Sequence, residues 1–257
     1  MNSTMKNKPL TILIKIGVAA FWVLIWQLVS MLVDNSYFVP TVPETAVRLG
    51  EIVFSLSFLK IVFSTLLRVG AGYLIGAVVA IVLSFVCYKL PCINSLFSPI
   101  ITVIKSTPVA SFVIILWVIM TGNSLVVFVS FLMVMPVFWQ NLIDGYSSID
   151  KGLLEVADVF EFSRKKRARL VVFPALIKYF VPASITSIGL AWKATIAAEI
   201  IAYTKDSIGE QINNSKAAYD DTEGVFAWTV IIICFSIALE WLIKFLLSKF
   251  KKEEVMA

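Results

Sequence analysis

A polar segment separates two long apolar runs, and most of it reads Asp150-Lys-Gly-Leu-Leu-Glu155-Val-Ala-Asp-Val-Phe160-Glu-Phe-Ser-Arg-Lys165-Lys-Arg-Ala-Arg-Leu170-Val-Val-Phe-Pro174. Asp150 and Ser163 are good N-cap residues, because their side-chain oxygens accept hydrogen bonds from the free backbone N–H groups of a first helical turn. The segment is therefore predicted to form two short helices, one after each cap. Pro174 is expected to end or kink the second helix, since proline lacks a backbone donor and disfavours helix at the residue before it. We call residues 150–178 the polar cassette.

The first predicted helix has one apolar face. Leu153, Ala157 and Phe160 recur at helical spacing, and Glu155 and Asp158 lie beside them. A solvated cytoplasmic loop has a similar composition, so composition leaves two interpretations open, a plain loop and a binding surface. The spacing of the residues across the whole cassette favours a binding surface.

That spacing resembles the EAA loop of ABC importer permeases. The motif reads Glu-Ala-Ala, three residues, Gly, nine residues, Ile, one residue, Leu-Pro, and every interval is kept between Glu155 and Pro174. The chain departs from the motif at four positions, with Val156 for Ala, Glu161 for Gly, Val171 for Ile and Phe173 for Leu. The glutamate is the largest departure, because glycine permits a tight turn that glutamate makes less easily.

Two other segments resemble the nitrate/sulfonate/taurine branch of these permeases. Leu190-Ala-Trp-Lys-Ala-Thr-Ile-Ala-Ala-Glu199 is similar to its "LAW…AAE" helix, and Ser64-Thr-Leu-Leu-Arg-Val-Gly-Ala-Gly-Tyr-Leu-Ile-Gly76 to its "SLxRxxxGxxxG" opening. The resemblance implies an all-α membrane protein with the MetI-like permease fold, about six transmembrane helices and a cytoplasmic coupling loop, residues 144–181, between the fourth and fifth.

In that family the loop enters a cleft of a cytoplasmic ATPase and carries its closure to the membrane helices. The resemblance therefore implies a homodimer with two ABC ATPase subunits and an extracytoplasmic substrate-binding protein. The residues expected to couple to the ATPase are Leu153, Glu155, Val156, Ala157, Asp158, Phe160, Glu161, Ser163, Arg167, Phe173 and Pro174.

The composition is that of a membrane protein. The chain has 257 residues, of which 59% are hydrophobic and 15% charged, and its mean hydropathy is +0.90. The absence of histidine from the sequence excludes histidine-based catalysis and metal sites, and Cys87, Cys92 and Cys234 lack a metal-binding spacing. No phosphate-binding loop of the form GxxxxGK[ST] occurs, so ATP hydrolysis and any cofactor are expected on separate subunits.

Six apolar runs are each long enough to cross a bilayer. They lie at residues 10–33, 61–88, 97–120, 124–142, 183–203 and 225–248. The first is expected to be an uncleaved span, and residues 44–59 have the spacing of an amphipathic surface helix. Residues 1–60 thus form an extra span with its linker, residues 61–250 the permease core, and residues 251–257 a cytoplasmic tail. Gly72 and Gly76 are predicted to allow close packing between helices.

Lysine and arginine concentrate at both ends of the chain and in the cassette, whereas residues 204–224 carry two lysines against five acids. Positive residues mark the cytoplasmic side of a membrane. The charges therefore predict a multi-pass protein of the cell membrane with both termini and the cassette in the cytoplasm. Because the net charge of +5 follows this sidedness, it does not indicate a nucleic-acid partner.

Several charged residues, among them Arg68, Lys105, Lys193, Glu199 and Glu240, fall inside the predicted spans, where charge is costly and usually faces a partner or water. Arg68 and Glu240 are near span ends and are expected to extend to the interface. Lys193 and Glu199 lie on different faces of one helix and need other partners. Lys193 replaces a residue that is apolar in the related permeases, so it either attracts an anionic substrate or pairs with an acid on a neighbouring span. The predicted pathway residues are Lys105, Pro108, Lys193 and Glu199.

The function predicted from the sequence is that of a permease subunit in an ATP-driven importer, which moves a small anionic or polar organic solute by alternating access. One alternative is the transmembrane coupling component of an energy-coupling-factor vitamin transporter. Another is a secondary carrier driven by an ion gradient, which needs no cassette of this spacing. An intramembrane protease lacks support, because the sequence has no histidine and no pair of intramembrane aspartates.

Overall fold

Helices make up nearly all of the computed structural model, which describes residues 8–218 and 220–254, and no strand occurs within these ranges. The α-helices are α1 Lys8–Val33, α2 Val42–Val53, α3 Phe58–Lys89, α4 Pro91–Ser106, α5 Val109–Trp117, α6 Gly122–Ser147, α7 Lys151–Val159, α8 Arg164–Arg167, α9 Phe173–Ile201, α10 Ile208–Asn213 and α11 Thr222–Glu254. Two π-helical turns, Ala168–Val172 and Asn214–Ala218, follow α8 and α10.

Five helical runs are long and apolar enough to cross a membrane, and a bent pair of helices brings the number up to six if it is one span. The bent pair is α4 and α5, which meet at 101°. The predicted third span, which covers residues 97–120 and is interrupted at Lys105-Ser-Thr-Pro108, is sharply bent at that interruption. The break has a local cause, because Pro108 follows Thr107 and pushes it into an extended conformation with ψ 130°.

Helices α3 and α6 pack closely and run parallel. A Cβ on Gly72 would collide with Ser130, and one on Gly76 would lie 2.9 Å from the Cβ of Val134, so the predicted close approach at these glycines is confirmed. At one end of the pair, the Arg68 Nε donates to Asn123 Oδ1 over 2.8 Å.

At the other end the Tyr88 and Tyr146 rings stack with centroids 4.5 Å apart. Because α3 and α6 are parallel, residues 89–122 must carry the chain back along the full length of the pair. The bent α4–α5 pair is therefore the return connection and crosses the bundle as one broken span. This connectivity supports the six crossings predicted from the sequence.

Helix α9 packs along α6 in the opposite direction. Val126 and Val129 of α6 meet Ala194 and Ala198 of α9 in a fully buried apolar cluster, which Val113 of α5 completes. Helix α9 begins at Phe173, ten residues before the predicted fifth span.

Pro174 does not end the helical run, which continues from Arg164 to Ile201. It follows closely after the π-helical turn Ala168–Val172, which is where the regular α-helical hydrogen-bond pattern of this run is interrupted.

The chain divides into two compact units. One contains the described residues up to Phe58 together with Gln211–Ile231, and the other contains Leu59–Glu210 and the chain from Ile232 onward. The first boundary lies between Phe58 and Leu59, and Gln211–Ile231 belongs to the N-terminal unit although it is distant in the sequence. Inside that unit, Arg48 of α2 forms an ion pair with Asp221 at 2.6 Å.

Helix α2 has a sequence-encoded start. Thr41 accepts from the Glu44 N–H, and the Glu44 carboxylate accepts from the Thr41 N–H over 2.7 Å, which forms a capping box. That backbone hydrogen bond, followed by the Thr41 hydroxyl, holds the pKa of Glu44 below its usual range.

Candidate functional site

Helix α7 of the cassette begins and ends with well-defined caps. Asp150 accepts from the Gly152 N–H over 2.7 Å, which confirms the predicted N-cap. At the other end, the Phe162 N–H donates to the Ala157 carbonyl over 2.9 Å and the Glu161 N–H to the Asp158 carbonyl over 3.0 Å. These two bonds form a Schellman motif, which fixes the direction of the chain after the helix.

The Schellman motif requires a left-handed residue at position 161, where Glu161 has φ +50°. The EAA motif has glycine at this place, and glycine adopts that conformation without steric cost. In an L-residue with a side chain the same conformation costs about 1–2 kcal/mol. The chain therefore makes the tight turn at the position of the motif glycine, but it does so with a glutamate in a strained left-handed conformation.

The two cassette helices are tied to each other across this turn. Arg167 of α8 forms an ion pair with Asp158 of α7 at 2.5 Å, and the Lys166 Nζ lies 4.1 Å from the centre of the Phe162 ring. Ser163 caps α8 by accepting from the Lys166 N–H, as predicted. The caps and these two side-chain contacts hold α7 and α8 together as one unit.

Ala157 anchors this unit to the helices that flank it. It is buried with Tyr146 and Ile149 at the end of α6 and with Val171 just before α9. The expectation that Leu153, Ala157 and Phe160 share one exposed face is therefore wrong, because Ala157 faces the interior of the chain.

The outer face of α7 is apolar and exposed. Leu153 is 52% exposed, Val156 49%, Val159 80% and Phe160 70%. Val159 completes this patch, and the EAA spacing did not mark it because it falls between motif positions. We call these four residues the α7 outer face.

The remaining predicted coupling residues lie around this face. Glu155 is exposed on α7, Phe173 is 57% exposed at the start of α9, and Pro174 is half-buried beside it. The structure thus brings the predicted coupling residues together at one end of α6 and α9. Ala157 lies on the buried side of α7, and Leu153, Val156 and Phe160 lie on its exposed side.

The opposite end of α6 and α9 holds a buried ion pair. Arg68 Nη1 lies 2.8 Å from Glu199 Oε1, and the two side chains are 8% and 0% exposed. The expectation that Arg68 extends to the interface is wrong, because Glu199 provides a buried partner on a neighbouring helix.

Further hydrogen bonds surround this ion pair. The Thr65 hydroxyl and the Gly209 N–H donate to Glu199 over 3.0 and 3.3 Å, and Arg68 also donates to the backbone carbonyls of Lys205 and Asp206. Gly209 approaches so closely that a Cβ there would lie 2.5 Å from the Cβ of Glu199. Sequence reasoning missed these contacts, because only the fold places α3 beside the end of α9.

Most of the chain matches one protein family. Residues 72–252 match the model of the family described as "Binding-protein-dependent transport system inner membrane component". The chain belongs to this family. The permease family predicted from the cassette and the all-α membrane fold are thereby confirmed.

Two relatives and one solved structure are similar to this permease. The nitrate import permease protein NrtB of Synechococcus elongatus is 29% identical over 138 residues, which are 53% of this chain and 50% of that protein. SsuC of Bacillus subtilis, named for aliphatic sulfonate transport, is 23% identical over 210 residues, 80% of this chain and 75% of that protein. This chain thus matches only half the length of NrtB.

The solved structure is described as "Crystal structure of an amino acid ABC transporter with histidines". It is 19% identical, covers 77% of this permease and 94% of its own chain, and has a TM-score of 0.56. At this identity the likeness concerns the fold alone.

Of the four predicted pathway residues, three are exposed and Glu199 is buried. Lys105 stands near the end of α4, and Pro108 lies at the bend between α4 and α5. Lys193 is exposed on α9, and Glu199 is enclosed on the same helix. The structure separates Lys193 and Glu199, so the two do not form one site.

Proposed function

We propose that this chain is the membrane-spanning subunit of an ATP-driven importer. Two copies of the chain form the pathway, two cytoplasmic ABC ATPases supply the energy, and an extracytoplasmic binding protein delivers the solute. ATP hydrolysis takes place on the separate ATPase subunits. Both termini and the cassette lie in the cytoplasm. The names of NrtB and SsuC concern nitrate and aliphatic sulfonates, which supports a small anionic or polar organic solute.

The observation that carries the proposal is the α7 outer face. Four large apolar side chains, each about half exposed or more, stand on a short helix that is capped at both ends. A contiguous apolar patch on a rigid element is typical of a protein-binding site. Its position in the spacing of the EAA loop supports an ABC ATPase as that partner.

The inner side of the same helix provides the route for coupling. Ala157 packs against the end of α6 through Tyr146 and Ile149, and against the start of the α9 run through Val171. A displacement of α7 therefore moves both helices. Because α6 and α9 pack along each other, the displacement reaches the far end of the pair.

This geometry supports alternating access. Closure of the two ATPases on ATP draws the two α7 helices together and opens the pathway outward to the binding protein. Hydrolysis separates the α7 helices again and returns the pathway to the cytoplasmic side. The chain contributes no covalent chemistry, and its work is the transfer of motion from the cassette to the membrane helices.

The test is a pair of matched valine substitutions in the full transporter. Val156→Asp places a charge on the α7 outer face, and Val47→Asp places the same charge on α2, where Val47 is 66% exposed. Losing an interface anchor costs about 2 kcal/mol, a thirtyfold loss of affinity. We expect Val156→Asp to lose its co-produced ATPase on purification, while Val47→Asp retains it. Wild-type ATPase retention by both Val156→Asp and Phe160→Asp would contradict the proposal.

A further inference from the structure

Helix α9 has one exposed stripe. Pro182, Thr186, Leu190 and Lys193 follow one another at steps of four, four and three residues and are all exposed, whereas Ala191, Trp192, Ala194 and Thr195 are buried. Lys193 stands eight residues before the end of α9 at Ile201. At 1.5 Å per residue it lies about 12 Å inside the helix end. The stripe therefore carries a single cation deep within a membrane-spanning run.

The carboxylates of the neighbouring spans are already engaged. Glu199 pairs with Arg68, and Glu240 on α11 pairs with Lys244 at 3.3 Å. Asp144 on α6 accepts from Gln140. Within residues 8–218 and 220–254, Lys193 makes no ion pair.

Glu240 is the acid that approaches the stripe. Its Oε1 lies 3.4 Å from the place where a Cβ on Gly189 would stand, one turn before Lys193. Any test of Lys193 must therefore include Glu240.

Contact with lipid is unfavourable for an unpaired lysine at this depth. A charged side chain at the centre of a bilayer is costly, and such residues face water, a partner or a pathway. Since no described carboxylate neutralises Lys193, the stripe faces water inside the assembled permease. The lysine side chain then attracts small anions into that space.

We propose that Lys193 forms a transient binding site for small anions in the translocation pathway. This inference rests on the proposed function and adds the chemical class of the solute. Lysine suits the task because its ammonium is a compact, strongly hydrated charge with no fixed fork geometry. A transport site must bind weakly enough to release its ion, and the uncharged remainder of the stripe, such as Leu190 and Thr186, adds no second charge.

The experiment measures the local potential beside Lys193 with charged thiol reagents. The natural cysteines Cys87, Cys92 and Cys234 are replaced by serine, because two of them are exposed. Leu190→Cys then places one thiol three residues from Lys193, and the full-length permease is reconstituted in liposomes. Its modification rates are compared for anionic sulfonatoethyl methanethiosulfonate and cationic trimethylammonioethyl methanethiosulfonate, each relative to free cysteine.

We expect the anionic reagent to be favoured by about tenfold or more, the range in which a charged cleft raises local counter-ion concentration. Lys193→Gln should abolish the preference, and Lys193→Arg should keep it. Equal ratios in the parent and in Lys193→Gln would overturn the inference, as would a thiol that reacts with neither reagent.

The Glu240→Gln variant tests the alternative that Lys193 forms an ion pair with Glu240. If Lys193 pairs with Glu240 in the membrane, the parent shows no anion preference and Glu240→Gln creates one, which also overturns the inference. None of these measurements uses the ATPase. Failure of the anion site is therefore distinguished from failure of the proposed function, which is judged by ATPase retention in Val156→Asp.

Discussion

Arg68 of α3 and Glu199 of α9 form an ion pair at 2.8 Å that is almost completely buried. Around it, Asn123, Thr65 and the Gly209 N–H complete the hydrogen bonding of both charged groups. The pair therefore joins α3, α6 and α9 to the segment that follows α9. A buried ion pair adds little net stability over apolar residues, but removing one partner leaves an uncompensated charge.

The first prediction follows from that asymmetry. Arg68→Met should destabilise the permease by about 3–5 kcal/mol, because Glu199 is then buried without its cation. The double variant Arg68→Met/Glu199→Met should recover most of the loss, since it removes both charges. Denaturant midpoints of the purified proteins measure the two effects. Equal loss in the single and double variants would show that the unpaired charge of Glu199 is not the cause of the destabilisation.

A second prediction separates the two sides of α7. Ala157 is 2% exposed and Val159 is 80% exposed, although they are two residues apart. Ala157→Asp buries a charge among Tyr146, Ile149 and Val171, and we expect it to destabilise the cassette by about 3 kcal/mol or more. Val159→Asp should leave the cassette folded and weaken only ATPase binding. Limited proteolysis of the cassette measures the difference, and equal resistance of the two variants would disprove the assigned orientation of α7.

The third prediction concerns the strained turn at Glu161. Its left-handed conformation costs about 1–2 kcal/mol, and glycine avoids that cost but loses about 0.5–1 kcal/mol to chain entropy. Glu161→Gly should therefore stabilise the cassette by up to about 1 kcal/mol. Glu161→Val should destabilise it, because a β-branched residue is disfavoured at positive φ. Hydrogen exchange of the Phe162 amide reports both changes, and faster exchange in Glu161→Gly would contradict this account.

The cassette shows how much a sequence can reveal. Its N-caps at Asp150 and Ser163 depend on residues close in the chain, so local rules predicted them. The tight turn at Glu161 was indicated only by the glycine of the EAA motif, because glutamate by itself does not favour it. The burial of Ala157 depends on Tyr146 and Val171, which only the packing of α6 and α9 brings near. Helical periodicity identified the apolar residues Leu153, Ala157 and Phe160. It could not show that Ala157 packs against α6 and the start of the α9 run while the other two are exposed.

The same distinction explains the membrane charges. Arg68 was expected to reach the interface because its partner, Glu199, lies 131 residues away in the sequence. The break at Pro108 was marked by the sequence, whereas the 101° angle between α4 and α5 was not predicted. Long-range pairing and helix direction are therefore what the sequence left open.

The fourth prediction is a pH effect in the segment after α9. Lys60 forms an ion pair with Asp206 at 2.8 Å, and its hydrogen bond, followed by its charge, holds the pKa of Asp206 below its usual range. A lowered pKa in the folded state stabilises the fold above the ordinary aspartate pKa, and this contribution is lost as pH falls through the lowered value.

Acidification below about pH 4 should therefore lower the protection factors of the amides at residues 203–207, which compare each exchange rate with the intrinsic rate at the same pH. Asp206→Asn should show the lower protection already at pH 7 and lose this pH dependence. The same acid response in Asp206→Asn and in the parent would assign the effect to other groups.

The last prediction tests the number of crossings. Because α3 and α6 are parallel, the bent α4–α5 pair has to return the chain across the membrane, which makes six crossings with α1, α3, α6, α9 and α11. An even number places both termini on one side, and the positive charges of the cassette place that side in the cytoplasm. Reporter fusions at the two ends should both show cytoplasmic activity. Single cysteines at Ser163 and Lys216, in a background without Cys87, Cys92 and Cys234, should react from opposite sides with an impermeant maleimide. If the bent pair were a re-entrant loop, there would be five crossings, and the fusions at the two termini would report from opposite sides.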